Sequence, residues 1–384
     1  MRGALLSGTP SAACAGAWDL DRGPSLHDSG ADHAPAWLPR GRGTRLFRIW
    51  ALTGLLGMLP FATAPAAEKL PVPAASQGTD KGIRQDRVEA WLQQVSAAAR
   101  SMNYSGVFVT QRGGEMSASS LVHYVVPQGN FERIETLDGQ RRTMVCLDDE
   151  VHTSWPDYRL MLIDNQPGHG SFPGLLKISG GEVDRNYRLE HGGDERCAGY
   201  QCQVSTILPR DDLRWGYRLW ALRDSHLLVK AQTLDAAGHV IDQVAFAQLK
   251  INVPPDPELV RRSLRRPPGY AVEKMRAVPV TLQSQGWTLS APVPGFKTVG
   301  VYRRSMTVGS KSSEVLQWLL SDGLASMSIF IQPAGGLPEP VPAEQRVGGT
   351  LAVSRPIGDS WITVMGAVPE RTLHRLSEAV ARAH

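Results

Sequence analysis

YQCQVSTILPRDDLRWGYRLWALRDSHLLVKAQTLDAAGHVIDQVAF, residues Tyr200–Phe246, holds three strand-like segments: Trp215–Leu222, Leu227–Leu234 and Val240–Leu249. The breaks between them, Arg223-Asp224-Ser225-His226 and Asp235-Ala236-Ala237-Gly238-His239, are short and polar. Segments this close pair antiparallel, because a parallel return needs a crossover of a dozen or more residues. In the first segment Trp215, Tyr217, Leu219 and Ala221 share one face, and Arg214, Gly216 and Arg218 the other. A broad aromatic face on one side predicts a curved sheet around something apolar. Such a sheet either fills its own hollow or holds a guest in it.

Working outward toward the N-terminus, Ser105–Arg112, Ser120–Val126, Asn130–Leu137, Arg142–Cys146, Val151–Ser154 and Tyr158–Ile163 read as further strands. Gly113-Gly114, Pro127-Gln128-Gly129 and Asp138-Gly139 punctuate them, and Asp-Gly is a strong hairpin signal. A helix precedes them over roughly Asp86–Met102, with Val88, Trp91, Leu92, Val95, Ala99 and Met102 on one stripe. A stripe that wide predicts a helix lying against the sheet, across the mouth of its hollow. Asn165–Gly181 has five glycines and two prolines and reads as a loop.

Working toward the C-terminus, Asn252-Val253-Pro254-Pro255-Asp256-Pro257 breaks the sheet, since proline fixes the backbone and removes a donor. Asn252–Ser284 reads as a linker with some ordered structure, within which Ala271–Leu282 has strand character. A second domain follows from Gln285. It has strands near Trp287–Ser290, Lys297–Ser305, Ser313–Ser321, Ala325–Gln332, Gly349–Arg355 and Ser360–Ala367. A closing helix, Pro369–Ala383, carries Leu373, Leu376, Val380 and Ala383 on one face, with Pro369 in its first turn. The fold class is mostly β, of α+β type: a large antiparallel sheet with a covering helix, then a smaller antiparallel sheet backed by one helix.

The N-terminus reads as a targeting segment. Arg45 and Arg48 precede the apolar run Ile49–Leu59, and Ala64-Pro65-Ala66 offers a cleavage site, the pattern of a secretory signal peptide. The run is about half the ~20 residues of a spanning helix. Residues 1–66 are therefore expected to be leader and signal peptide, Met1–Gly43 being an upstream extension outside the fold. Residues 67–83 are expected to be a flexible mature start. The domains expected beyond are 84–251 and 285–384, with the linker 252–284 between them. Export predicts a soluble protein outside the cytoplasm. With 41 Lys and Arg against 37 Asp and Glu, the chain gives no electrostatic case for nucleic acid. Arg261-Arg262-Ser263-Leu264-Arg265-Arg266 is nevertheless a local basic patch.

Export also places the cysteines where disulfides persist. Cys197 and Cys202 flank Ala198-Gly199-Tyr200-Gln201, a spacing that a tight hairpin can close, and a bridge is expected. One pair lacks the second ligand pair of a structural zinc site, so no metal is expected. Cys146 reads as a small buried apolar residue. Enzyme motifs are missing: there is no GxSxG, no phosphate loop and no HExxH. Gly168-His169-Gly170-Ser171-Phe172-Pro173-Gly174 is out of register for a dinucleotide fingerprint and lacks its strand–helix context. Asp148-Asp149-Glu150 reads as a solvated hairpin tip, and His123, His152, His191 and His226 have no ligand spacing. Neither a cofactor nor a catalytic residue is expected. The apolar faces are the better clue: Trp215, Tyr217, Leu219, Leu227, Val229, Val107 and Val109 either form an ordinary filled core or line a hollow that accepts a lipid tail or an apolar peptide.

Three stretches carry a family resemblance. Leu208-Pro209-Arg210-Asp211-Asp212-Leu213-Arg214-Trp215-Gly216-Tyr217-Arg218-Leu219-Trp220 resembles the hairpin of the RseB/MucB family. Ser321–Ile331 (SDGLASMSIFI) and Ile362–Thr372 (ITVMGAVPERT) fit the same family in the expected order. The resemblance spans roughly Asp86–Val380. It implies a first domain similar to the lipoprotein carriers LolA and LolB, a half-open antiparallel barrel. It implies a periplasmic negative regulator of the sigma-E (AlgU-type) envelope-stress response. Such a protein binds the periplasmic segment of an anti-sigma factor of RseA/MucA type and shields it from the site-1 protease. Lipopolysaccharide, or lipidated or unfolded envelope proteins, would release it. The smaller domain would supply much of the anti-sigma contact, which within its first block falls to Asp322, Ser326 and Phe330. Ala367 departs from the acidic residue expected before Val368-Pro369, and Arg210, Asp211, Arg214 and Tyr217 match the hairpin with a role that is structural or functional. A lipoprotein carrier or lipid chaperone is the alternative, against which the domain from Gln285 speaks; a secreted hydrolase is the third reading. The oligomeric state, a homo-oligomer included, is not readable from the residues.

Overall fold

The three segments of the opening stretch form a meander. They are β9 (Gly216–Leu222), β10 (Leu228–Leu234) and β11 (Val240–Ile251) once the earlier strands are counted. A computed structural model of the chain describes residues 87–165, 183–308, 311–334 and 344–383. The expected signal peptide, leader, flexible start and glycine-rich segment 166–181, with its Gly168–Gly174 motif, lie outside the described residues.

Helix α1 (Val88–Ser101) opens the fold. Asp184 of α2 (Val183–Asn186) sits at its N-terminus, accepting the Glu89 N–H at 3.2 Å and the Arg87 Nε at 2.8 Å. A carboxylate there satisfies orphan donors and complements the helix dipole. Then come β1 (Tyr104–Arg112), β2 (Glu115–Val126), β3 (Gly129–Thr136), β4 (Thr143–Leu147), β5 (Glu150–Trp155) and β6 (Leu160–Asn165). After α2 follow β7 (Tyr187–Cys197) and β8 (Tyr200–Pro209), leading into β9.

These strands and β12 (Ala271–Met275) make one sheet of twelve, in the order β12-β6-β5-β4-β3-β2-β1-β11-β10-β9-β8-β7. The meander order follows from short connections, except that β11 returns to pair with β1. The sheet does not close on itself: β7 and β12 stand at its edges. Its last member, β12, lies beyond α3 (Pro257–Ser263) and joins β6 in parallel. Helix α3 starts where the proline-rich break predicts an end to the strand. Asp256 accepts the N–H groups of Glu258 and Leu259 at 2.9 and 3.1 Å, and Pro257 fills the first helical position.

A second sheet is built from β13 (Ala277–Pro279), β15 (Lys297–Val308), β16 (Lys311–Ser321), β17 (Ser326–Pro333), β18 (Glu344–Val347), β19 (Thr350–Ile357) and β20 (Ser360–Gly366). Its order is β13-β15-β16-β17-β20-β19-β18. Before β15 come a short helix, α4 (Leu282–Gln285), and β14 (Trp287–Leu289). Helix α5 (Glu370–Ala379) buries Leu373 and Leu376 against the inner face, where Trp318, Ile329, Ile362 and Val364 align across three strands. The expected closing helix stops at Ala379 rather than Ala383. There the chain extends into β21 (Val380–Arg382), which pairs with β14 and buries the β-branched Val380 in the same core.

Candidate functional site

Three stretches stood out in the sequence, and the structure brings them together at the junction of the two sheets. The β8–β9 loop carries Arg214, whose side chain is fully buried. Its Nε donates to Asp322 Oδ2 at 2.5 Å, its Nη2 to the Pro294 carbonyl at 2.7 Å, and its Nη1 to Asp211. The guanidinium also lies over the Phe296 ring, 4.9 Å from its centroid. Gly295 (φ +79°) passes so close that a Cβ there would strike both Arg214 and Asn186.

Asp322 sits in the tight β16–β17 turn. Its Oδ1 accepts the N–H groups of Leu324 and Ala325 at 2.9 and 2.7 Å, and its Oδ2 accepts the Tyr187 hydroxyl at 2.9 Å. Ser321 Oγ accepts the Gly323 N–H at 3.0 Å and donates to the Ala325 carbonyl, fixing the same turn. That turn inserts Leu324 among Trp91 and Leu92 of α1 and Tyr187 and Leu219 of the first sheet. From the third stretch, Arg371 Nε reaches the Asp212 carbonyl at 2.8 Å and Thr372 Oγ1 the Leu213 carbonyl at 3.0 Å. Burial pushes the Asp322 carboxyl up, against the pull of the Leu324 N–H, Arg214 and the Ala325 N–H. Burial also pushes the Tyr187 hydroxyl well up, with Asp322 beside it adding to the effect.

Two further contacts join the sheets. Arg304 of β15 meets Asp164 of β6 at 3.0 and 3.1 Å, both buried, while also holding Gln317. At the β18–β19 turn the Gly349 N–H donates to Asp242 at 2.8 Å, and Trp215 Nε1 donates to the Gly349 carbonyl at 3.3 Å.

The residues expected at the partner-binding surface divide. Asp322 is 2% exposed and its carboxylate is taken up inside the protein, so it offers nothing to a partner in this conformation. Ser326 and Phe330 are half-buried. Phe330 pairs with Thr363 on the face of the second sheet opposite α5, where Trp361 and Met365 are also half-buried. Here lies a moderately apolar strip with Phe330 at its centre.

The seven residues expected around a hollow do not share one surface. Tyr217 and Leu219 pack with Val88, Trp91, Leu92 and Leu324. Leu227 and Val229 pack instead with Phe108, Leu121, Met144 and Trp220. The register explains the split: Leu228 pairs with Ala221, so Val229 points to the opposite face from Leu219. Strand β9 is buried on both faces, which one aromatic face and one arginine face did not predict. Val107 and Val109 alternate with the buried Phe108 and are themselves half-buried, and Trp215 turns toward the second sheet.

Cys197 and Cys202 are unbonded thiols. Cys197 pairs with Tyr200 and Cys202 with Glu195, so the two are diagonal neighbours on one face of the hairpin, with their thiols in hydrogen-bond contact. Asp148 and Asp149 form the exposed β4–β5 turn, as the hairpin-tip reading expects, and Asp148 accepts the Asn130 N–H of the neighbouring β3 at 2.9 Å. Glu344, Glu370 and His374, missed in the sequence because β18 was not recognised, place their donor atoms within 4.8 Å of one another. Arg346 already pairs with Glu370 at 2.6 Å, and the group is an exposed ion-pair network.

Comparison with known proteins adds the following. The MucB/RseB N-terminal domain family matches residues 87–265, and the MucB/RseB C-terminal domain family matches residues 281–381. The sigma factor AlgU regulatory protein MucB of Pseudomonas aeruginosa is 27% identical over 298 residues, covering 76% of this chain and 89% of that protein. The sigma-E factor regulatory protein RseB of Escherichia coli K12 is 25% identical over 294 residues, with the same coverage. The solved MucA/MucB complex of Pseudomonas aeruginosa aligns with a TM-score of 0.58 at 25% identity, over 77% of this chain and 99% of that one. A crystal structure of MucB with MucA(peri) aligns at 0.56 and 25% identity, over 77% and 98%.

Proposed function

The chain belongs to the MucB/RseB family, and from that premise we propose that it binds the periplasmic segment of a membrane anti-sigma factor and shields it from regulated proteolysis. The observation that carries this is the match of both sheets, in order, to a protein solved together with MucA. While the anti-sigma factor is shielded, its sigma factor stays sequestered. A signal molecule that favours the free form then shifts the equilibrium toward release. The family is a regulatory one, and we read the chain as non-catalytic and exported to the periplasm by its N-terminal segment.

The anti-sigma segment docks, in this reading, on the outer strip of the second sheet, at Phe330 and Ser326. Asp322 supports that strip from within by holding the turn ahead of β17. The first sheet is the receiver of a lipid or unfolded-protein signal. It acts as a half-open barrel (84–251) that loosens when α1 lifts from Tyr217 and Leu219 on one side and from the neighbourhood of Leu227 and Val229 on the other. Trp215, Val107 and Val109 form its rim. The small domain, expected at 285–384, takes in β13 as well, while β12 of the expected linker 252–284 joins the first sheet. Oxidation of Cys197 and Cys202 to a bridge would pin the β7–β8 hairpin.

The test is capture of a tagged anti-sigma periplasmic segment by the purified mature chain, with and without lipopolysaccharide, followed by exposure of the segment to the site-1 protease. Capture, protection from cleavage and loss of both on adding the lipid are expected. A Phe330→Asp variant should keep its circular dichroism spectrum and lose at least tenfold in affinity. Capture of lipoproteins in place of the anti-sigma segment would sink the reading in favour of a carrier.

A further inference from the structure

On the outer face of β3–β6, away from the junction and from the Phe330 strip, a cavity of about 470 Å³ opens beneath α3 and the segment that follows it. This lies within the range of small-molecule sites. Val145, Met161 and Leu259 give it apolar walls, and Tyr270 closes one side. The basic run Arg261–Arg266 explains its charge. Arg261 is spent on Glu258, and Arg266 on the Tyr270 carbonyl. Arg262 and Arg265, the other two, both line the cavity and have no acidic partner among the described residues. Arg133 and Glu135 also line it and neutralise each other at 2.8 Å. His152, 7% exposed, completes the wall. Its Nε2 meets Glu150 at 2.6 Å, while its buried Nδ1 has no hydrogen-bond partner among the described residues.

Two uncompensated guanidinium groups over an apolar floor, beside a buried ring nitrogen lacking a partner, make an incomplete charge arrangement. Arginine suits planar or tetrahedral oxyanions because its donors are fixed in a fork. We propose that this cavity binds a small organic oxyanion, a phosphate or carboxylate carried on a compact body. The oxyanion sits between Arg262 and Arg265, and the body rests against Val145 and Tyr270. The site is separate from the anti-sigma surface and does not depend on it.

The experiment is calorimetric titration of the full mature chain with sn-glycerol 3-phosphate, citrate and, as the uncharged control, glycerol, together with co-sedimentation on phosphatidylglycerol and phosphatidylcholine vesicles. Each is repeated with the Arg262→Ser/Arg265→Ser variant, whose exposed side chains leave the core untouched, and with His152→Gln. Binding of a soluble anion but not glycerol, weakened at least tenfold in the double variant, establishes a free oxyanion as ligand. Sedimentation on phosphatidylglycerol alone, lost in the same variant, establishes the oxyanion as a lipid headgroup. No binding to any of these probes, or binding unchanged in both variants, overturns the proposal.

Discussion

Removing the Asp322 carboxylate would leave the Arg214 guanidinium buried with its main counter-charge gone. Breaking one partner of a buried pair costs about 3–5 kcal/mol, so Asp322→Ala should lower the denaturation midpoint by an amount of that order. Replacing both partners, Arg214→Met with Asp322→Leu, should recover most of the loss, because an apolar pair needs no compensation. A double-mutant cycle in urea separates the two effects. His123 makes a pH-dependent case. Burial lowers its pKa, against the pull of the Met102 carbonyl 2.8 Å from Nδ1, so the folded state prefers the neutral ring. The unfolded chain then takes up the proton first as pH falls below about 6.5, and stability is lost from there down through the folded value. His123→Gln should show a smaller drop in melting temperature between pH 7 and pH 5 than the parent. At this scale the sequence showed which residues were unusual but not what they touch. Arg214 and Asp322 are 108 positions apart, and neither residue's local pattern distinguishes a buried latch from an exposed contact.

Strands and hairpins were the most legible elements, since alternation and Gly-rich turns are local signals. Most expected strands appear within a few residues of their expected bounds, and α1 carries the expected stripe. What local pattern could not supply was register: it decides which face each residue joins, and it divided the expected hollow residues between two clusters. Helix α5 ended early for a similar reason, because the pairing of β21 with β14 depends on a partner some ninety residues away. Leu376 of that helix is fully buried. Leu376→Ala should cost about 2–5 kcal/mol, read from chemical denaturation, whereas the exposed Arg375→Ala should change little.

On the scale of the whole molecule, the proline-rich stretch reads as a linker between two domains, and a linker by itself leaves domains free to move. Buried pairs at Arg214–Asp322 and Arg304–Asp164, with Leu324 inserted in the neighbouring core, instead tie the sheets together. Calorimetry should therefore show one cooperative transition for the mature chain, and two after combining Asp322→Ala with Arg304→Ala. A parent that already melts in two steps would contradict the tie. The crossing between the sheets has a practical side. Strand β12 completes the first sheet and β13 begins the second, with Arg276 alone between them. Anyone dividing the gene at the gap between its two family matches, after residue 265, would strip β12 from β6 and leave the hydrogen-bonding edge of β6 bare. Bare edges recruit stray strands. The first half expressed alone should form inclusion bodies or soluble aggregates, and ending it at Met275 instead should rescue it, because the seam of this molecule falls at Arg276, between β12 and β13, and not where the first family match ends.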